Sequence, residues 1–373
     1  FEILHVLPFY PSSSDGGFSV TDHKNVSKDL GTWHDIRSLS NHASIMADLI
    51  LNHSSIKGKW FNSFIKEKED YKNFFFTIDD NFDFSKVIRP RDHKLIQIYN
   101  YKKKNNKLWC TFSHDQIDLN FKDPLVLIEF IEIVLLLLSK GVTTFRLDAV
   151  AFIWKKNGTS CVNLPETHEI VKLLRLIVNY INPHALIVTE TNLPRKENLS
   201  YFGNNDEANW IYNFPLPPLI LYTFLFEDSS KISGWSKSMP PAQINNAYLN
   251  FIASHDGIGM RPAEGILDNI ILDKLFKRVK KNGGKFSFRK VESKNKVYEA
   301  NITLFDALKR TDFDKDGIFA VERYIAAHSI LLALEGVPAI YFNSLFGTSN
   351  DQNAFIKTGI KRNINRFKWD FSD

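Results

Sequence analysis

The segment Gly141-Val-Thr-Thr-Phe-Arg-Leu-Asp-Ala-Val150 constrains this chain more than any other. It reads as a buried strand that closes on an arginine and an aspartate two residues apart. Side chains alternate along a strand, so Arg146 and Asp148 point to the same side. A guanidinium beside a carboxylate is expected to keep that carboxylate ionised at neutral pH. An ionised, oriented aspartate at a strand end suits nucleophilic attack, and a structural salt bridge is the plainer alternative. Other strand ends decide between the two.

Such ends recur along the chain. Residues 3–10 read as a buried strand, followed by the turn-rich Pro11-Ser-Ser-Ser-Asp-Gly-Gly-Phe18. A helix is expected over 33–41 and a second parallel-type strand over 44–53, with His53 just past its end. A helix over 121–140 stops at Gly141 and feeds the central strand. Residues 167–181 form an amphipathic pattern, and 185–190 is a buried strand ending in Glu190. A short strand is expected near 209–212. Residues 243–253 lead into Ser254-His-Asp-Gly-Ile-Gly259, which carries His255 and Asp256. A helix over 318–334 and a last strand over 337–342 follow.

Strand and helix alternate throughout, which predicts an α/β fold with a parallel sheet, a (β/α)8 barrel. Two stretches break the rhythm. Residues 54–120 are aromatic, charged and loop-like, the profile of an inserted subdomain, and they contain Arg89-Pro-Arg91. Residues 261–301 are irregular as well. The expected organisation is barrel over 1–53, an inserted subdomain over 54–120 and barrel over 121–260. A second insertion then covers 261–301 and barrel resumes over 302–373.

Length and composition agree with one large barrel carrying insertions. The 373 residues exceed a typical single domain, 44% are hydrophobic, and 31 are Phe. The formal net charge of +5 is mild. The basic run Lys102–Lys107 has no interleaved aromatics, so it reads as a solvated loop rather than a nucleic-acid surface. Two cysteines, Cys110 and Cys161, make neither a disulfide framework nor a metal spacing, so a reducing, cytoplasmic setting is expected. The longest apolar run, 126–138, is too short to span a bilayer and contains Glu129 and Glu132. No secretory leader is visible, and there is no initiator Met. Asp312-Phe-Asp-Lys-Asp-Gly317 opens like a calcium loop, but its twelfth position is Arg323 and Glu322 falls one place early. A solvated acidic turn is the better reading, and neither metal nor cofactor is expected.

Asp15, His53, Arg146, Asp148, Glu190, His255 and Asp256 all fall at or just beyond strand C-terminal ends. In a (β/α) barrel those ends converge on the active face. Several carboxylates, two histidines and an arginine on one face fit retaining glycoside chemistry. One carboxylate attacks, a second donates and later removes a proton, and a third helps hold the sugar.

These pieces resemble the α-amylase superfamily, family 13 of the glycoside hydrolases. The matching segments are Asp48-Leu-Ile-Leu-Asn-His53, Phe145-Arg-Leu-Asp-Ala-Val150, Thr189-Glu190 and Ser254-His-Asp256. Within it the chain is most similar to the sucrose phosphorylase branch, through Asp15-Gly-Gly-Phe18, Arg89-Pro-Arg91, Thr111-Phe-Ser-His-Asp-Gln-Ile-Asp-Leu-Asn120, Gly158-Thr-Ser-Cys161 and Arg362-Asn-Ile-Asn-Arg366. The resemblance implies Asp148 as nucleophile, Glu190 as acid/base and Asp256 as transition-state stabiliser. It implies a glucosyl subsite of Asp15, Phe18, His53, Arg146, His255 and Arg362. Arg91 and Tyr298 would reach phosphate or the leaving group.

Phe152, Asn192 and Glu299 depart from the sucrose phosphorylase pattern on the acceptor side, which turns attention from fructose to another acceptor. Glu190-Thr-Asn-Leu-Pro194, Ser200-Tyr-Phe-Gly203, Tyr212-Asn-Phe-Pro215 and Arg261-Pro-Ala-Glu-Gly265 look closer to glucosylglycerate phosphorylases. Against the family, the first barrel strand is missing before Phe1 and the C-terminal β domain is missing after Asp373, as in a fragment. The leading expectation is an α-glucoside phosphorylase using a glucoside and inorganic phosphate. The alternatives are a hydrolase or transglucosylase with the same carboxylates, and an inactive relative serving as a sugar-binding scaffold.

Overall fold

The computed structural model describes all residues except 102–103, 292–293 and 371–373. The chain divides into two compact units, Phe1–Thr191 with Leu199–Ile211, and Asn192–Asn198 with Tyr212–Asp373.

In the first unit β1 (Ile3–Val6) pairs in parallel with β2 (Ser44–Ile50), with helix α1 (Trp33–Ser40) between them in sequence. Thr32 and Asp35 close a reciprocal capping box at the start of α1. The aromatic stretch that follows contains β3 (His53–Ser55), α2 (Lys59–Ile65), the hairpin β4 (Ile96–Tyr101) and β5 (Lys104–Trp109), and β6 (Gln116–Asp118). β3 and β6 pair antiparallel, with His53 opposite Asp118. Phe76, Ile78, Trp109 and Cys161 form a small core there. Most of the basic run expected as a loop is therefore strand, while Lys102 and Lys103 lie outside the described residues.

α3 (Pro124–Ser139) starts where Asp123 accepts from the Leu125 N–H at 3.0 Å, with Pro124 in the first turn. Gly141 then takes φ +92°, and a Cβ there would collide with Ser40. That turn admits β7 (Val142–Asp148), which lies parallel to β2 with Asp48 opposite Arg146. After α4 (Pro165–Ile181), β8 (Leu186–Thr189) pairs with β7, Leu147 opposite Thr189. β9 (Trp210–Tyr212) continues the parallel order through Val188 opposite Trp210. Ile45, Leu49, Val142, Phe145, Leu147 and Ile187 are buried along these strands. They read as continuous apolar runs because both faces are covered.

After α5 (Arg195–Leu199), the second unit contains two helices not expected from the sequence, α6 (Leu216–Phe226) and α7 (Ser230–Ser238). α6 is apolar all round and mostly buried, so it carries no amphipathic period to detect. β10 (Ala247–Asn250) runs parallel to the much shorter final strand β14 (Val337–Pro338), Leu249 opposite Val337. Residues 339–342, expected to extend that strand, leave it.

The stretch 261–301, expected to be irregular, contains regular elements among its described residues. β11 (Ile258–Gly259) is followed by α8 (Asn269–Lys281), capped by Asp268. β12 (Lys285–Val291) and β13 (Lys294–Asn301) form a hairpin whose second strand also pairs with β11. Its alternation is broken by a bulge between Ser287 and Phe288. α9 (Leu304–Lys309) and α10 (Ala320–Ala333) follow, and short helices over Phe342–Leu345 and Gln352–Thr358 come after the final strand. The calcium-like turn is a turn. Asp314 accepts from the N–H groups of Gly317, Ile318 and Phe319 at 2.9 Å and pairs with Arg323 at 2.8 Å. Among the described residues no group of His, Cys, Asp and Glu is arranged to hold a metal ion.

Candidate active site

In the first unit the centre is Arg146. It is 1% exposed, and its Nη1 donates to Asp48 Oδ1 at 2.5 Å and to Asp148 Oδ1 at 2.7 Å. The cross-strand register places Asp48 opposite it, and the alternation along β7 places Asp148 on the same side. Asp48 is fully buried and also takes a 2.9 Å hydrogen bond from His5 Nε2. Asp48 belongs to the Asp48–His53 motif, which by itself assigns it no role. The usable signal was a lone carboxylate inside an otherwise apolar strand.

Arg146 lies beside Asp148 as expected, and other influences act on that carboxyl as well. Burial pushes the Asp148 carboxyl above the ordinary carboxylate range. Arg146 pulls it down, the Asp48 charge pushes it up, and His53 pulls it down. The guanidinium is shared between two carboxylates, so its full attraction is not available to either.

Glu190 follows β8 directly, and its N–H donates to Leu147 O at 3.1 Å. Its Oε2 accepts from the Ala149 N–H at 2.9 Å. Ala149 has φ +47°, a left-handed conformation that costs an L-residue about 1–2 kcal/mol. That strained turn, directly after Asp148, aims an N–H at Glu190 and ties the two carboxylate-bearing strand ends together.

His53 is buried, and its Nε2–H donates to Phe18 O at 3.1 Å. Burial holds its imidazole below the usual histidine value, although the Asp148, Asp118 and Asp15 charges act to raise it. The Phe18 ring lies 5.9 Å from the Arg146 guanidinium. Asp15 sits in a one-turn helix with φ +56° and accepts from Gln116 Nε2 at 3.2 Å. Arg91 stacks over Phe112 at 5.8 Å, and Phe112 in turn contacts His53 and Phe152.

A second buried network underlies His53. Lys155 Nζ reaches Asp118 Oδ2 at 2.6 Å and Asn52 Oδ1 at 2.9 Å, and Thr111 donates twice to Asp118. Burial lowers the Lys155 pKa against the pull of Asp118. This network pins the loop after β7 to the strands of the aromatic stretch. Nothing in the local sequence distinguishes Lys155 from the neighbouring Lys156, which is exposed.

The remaining predicted residues belong to the second unit. Arg362 pairs with Asp256 at 2.9 Å and with Glu299 at 2.8 Å. Arg366 approaches Asp256 at 3.4 Å, and its Nε donates to His255 O at 2.8 Å. His255 Nε2 lies 3.3 Å from Asp256 Oδ2. Tyr298 and Glu299 stand side by side on β13, Glu299 opposite Gly259 and Tyr298 O accepting from the Met260 N–H. Asn192 O accepts from Arg261 Nη1 at 3.2 Å.

A buried strand-end aspartate fixed by an arginine, with a glutamate at the next strand end, is the donor set of retaining glycoside chemistry. Residues 1–257 match the model of the α-amylase catalytic domain. The chain belongs to the α-amylase family. Family membership accounts for the α/β barrel class expected from the strand–helix rhythm. Sucrose 6F-phosphate phosphorylase from Thermoanaerobacter thermosaccharolyticum shares the fold with a TM-score of 0.88 at 26% identity, over 100% of this chain and 75% of that one.

Two relatives are much closer in sequence. The glucosylglycerate phosphorylase of Allomeiothermus silvanus is 44% identical over 99% of this chain and 67% of its own length. That of Escherichia coli is 40% identical over 99% of this chain and 66% of its length. The chain thus spans about two thirds of the curated relatives it matches. Among the described residues no helix is long and apolar enough to cross a membrane.

Proposed function

We propose that this chain carries the catalytic residues of a retaining α-glucoside phosphorylase whose substrate is of the glucosylglycerate type. The observation that carries this reading is the Arg146-held Asp148 joined through Ala149 to Glu190, in a chain 40–44% identical to two glucosylglycerate phosphorylases. Asp148 attacks the anomeric carbon while Glu190 protonates the departing oxygen, so the glycosidic C–O bond breaks as a glucosyl–Asp148 ester forms. A phosphate oxygen then attacks the same carbon with Glu190 acting as base. The ester bond breaks and α-glucose 1-phosphate leaves with configuration retained.

Asp256 stabilises the developing positive charge. Asp15, Phe18, His53, Arg146, His255 and Arg362 hold the glucosyl group. Arg91 and Tyr298 serve phosphate, and Asn192 and Glu299 serve the acceptor. The proposed domain organisation follows the family pattern, with residues 54–120 as an insertion in the barrel. The two buried, free cysteines support a reducing, cytoplasmic setting.

Phosphate distinguishes this reading from hydrolysis. A dianion approaching these carboxylates needs a cation, and a guanidinium offers two parallel hydrogen bonds to it. The test is incubation of the full-length gene product with glucosylglycerate, with and without phosphate, following glucose 1-phosphate. Phosphate-dependent product is expected, and Arg91→Ala should raise the phosphate KM by roughly ten- to a hundredfold. Release of free glucose at the same rate without phosphate would assign a hydrolase instead.

A further inference from the structure

The second unit contains a cavity of ≈ 420 Å³ lined by Arg195, Arg261, Arg289, Glu264, Trp235 and Ser238, among others. Three guanidiniums face one carboxylate there, so the lining is cationic. Glu264 is already taken, because both of its oxygens accept from Arg289 Nη2 at 2.8 and 2.9 Å. Arg195 is committed to Ser238, through its hydroxyl at 2.8 Å and its carbonyl.

Polar capacity is left over. Arg289 is 9% exposed and Trp235 is 5% exposed, yet among the described residues Arg289 Nε and Trp235 Nε1 have no hydrogen-bond partner. Buried donors are normally satisfied, and leaving one bare costs about 1–3 kcal/mol. Arg261 is also poorly compensated. Burial lowers its pKa and the neighbouring Arg289 charge lowers it further, against the pull of Tyr298, Glu197 and Glu264. Two guanidiniums close enough to disfavour each other, in a cavity with spare donors, are what an anion would relieve.

The place of this cavity in the unit indicates which anion. Arg261 directly follows β11, which pairs with β13 at Glu299, and Met260 N–H donates to Tyr298 O at 2.9 Å. Arg289 lies on β12, the other neighbour of β13. Arg261 Nη1 holds Asn192 O, and Asn192 comes two residues after Glu190 in the chain. The side-chain Oδ1 of Asn192 is buried with no partner among the described residues. Backbone pairing thus fastens the arginine cavity to the residues assigned to the acceptor.

We infer that Arg261 and Arg289 bind the carboxylate of the leaving group and so select a small hydroxy acid over a neutral polyol. This deepens, and rests on, the phosphorylase reading given above. Paired N–H donors of a guanidinium match the two oxygens of a carboxylate, whereas a hydroxymethyl group in the same cavity would leave those donors unmet. Selectivity of this kind arises because a site built for a polar group penalises the analogue lacking it.

The test uses the full-length enzyme in the synthetic direction, from α-glucose 1-phosphate, with D-glycerate or glycerol as acceptor. Arg261→Gln and Arg289→Gln are expected to raise the glycerate KM by roughly ten- to a hundredfold while the glycerol KM moves by less than about threefold. Glu264→Gln, which removes the one negative charge, is expected to lower the glycerate KM. Calorimetric titration of each variant with D-glycerate alone is the second readout, and it requires no turnover. Wild type should bind and both arginine variants should lose binding, with melting temperatures confirming that they fold.

Equal effects on glycerate and glycerol would overturn the inference and leave the phosphorylase reading standing. Arginine-dependent binding of glycerate by an enzyme that turns over no glucoside would uphold the subsite and defeat the phosphorylase reading. Loss of inorganic phosphate binding in place of glycerate binding would reassign the cavity and overturn the inference.

Discussion

Both units pair carboxylates with cations, and the two arrangements differ in burial. In the first, Asp48, Arg146 and Lys155 are all but closed to solvent. In the second, the side chains of Asp256, Arg362 and Arg366 keep 27%, 15% and 16% of their exposure. Charge pairing is the same chemistry in both, but its worth depends on solvent. A partly exposed pair is screened and contributes little. A buried pair interacts strongly, but each ion has lost its hydration, and removal of one partner leaves the other uncompensated. The first unit should therefore respond sharply, and in unexpected directions, to changes the second tolerates.

The largest effect should come from Asp148→Asn. Loss of the nucleophile is expected to reduce turnover by about 10⁴-fold or more. Stability should move the other way. The folded-state pKa of Asp148 lies above its unfolded value, so the folded form binds this proton more readily. The favourable contribution of the neutral carboxyl is present at low pH and is lost as pH rises through the folded pKa. At neutral pH the ionised Asp148 is thus a burden that Asn removes, and Arg146 still has Asp48. Thermal melts at pH 7 should show a rise for the variant that disappears in acid. A fall in melting temperature at pH 7 would mean that attraction to Arg146, not burial, governs this carboxylate.

Lys155→Met comes next. It strands Asp118 in a site with no solvent, and urea titration should show a loss of about 3–5 kcal/mol. Adding Asp118→Asn should recover much of it. If the single variant loses less than about 1 kcal/mol, the buried network is no more costly to break than a surface pair.

A smaller effect is expected in the pH profile. The acid limb of kcat/KM reports the free enzyme's ionised nucleophile, so its midpoint should lie above the ordinary carboxylate range. Asp48→Asn removes a charge that raises the Asp148 pKa and competes for Arg146, so the limb should shift to lower pH. A shift upward would show that Asp48 acts mainly by aiming Arg146.

Arg366→Gln should have the smallest effect on stability, below about 1 kcal/mol by denaturant titration, because its pairing with Asp256 is long and partly hydrated. A loss matching that of Lys155→Met would erase the contrast between the two units.

Sequence patterns were legible wherever one period or one motif covered a segment. The Arg146–Asp148 spacing, the apolar strands over 44–50 and 142–148, and the stop at Gly141 each follow from local geometry. The helix α6 was not legible, because a segment buried on every side has no polar face to set a period. Nor was the hairpin of β12 and β13.

The chemistry-bearing residue types were legible in the sequence itself: Asp148, Glu190 and His53 in the first unit, His255 and Asp256 in the second. Their electrostatics were decided only by tertiary structure. That Arg146 is divided between Asp48 and Asp148 depends on the β2–β7 register, a pairing across 98 residues of sequence. That burial outweighs the guanidinium at Asp148 depends on how completely the surrounding chain removes water. Local sequence fixes which groups are present and which way a strand turns them. Hydration and long-range register fix what each charge is worth, and both exist only once the chain has folded.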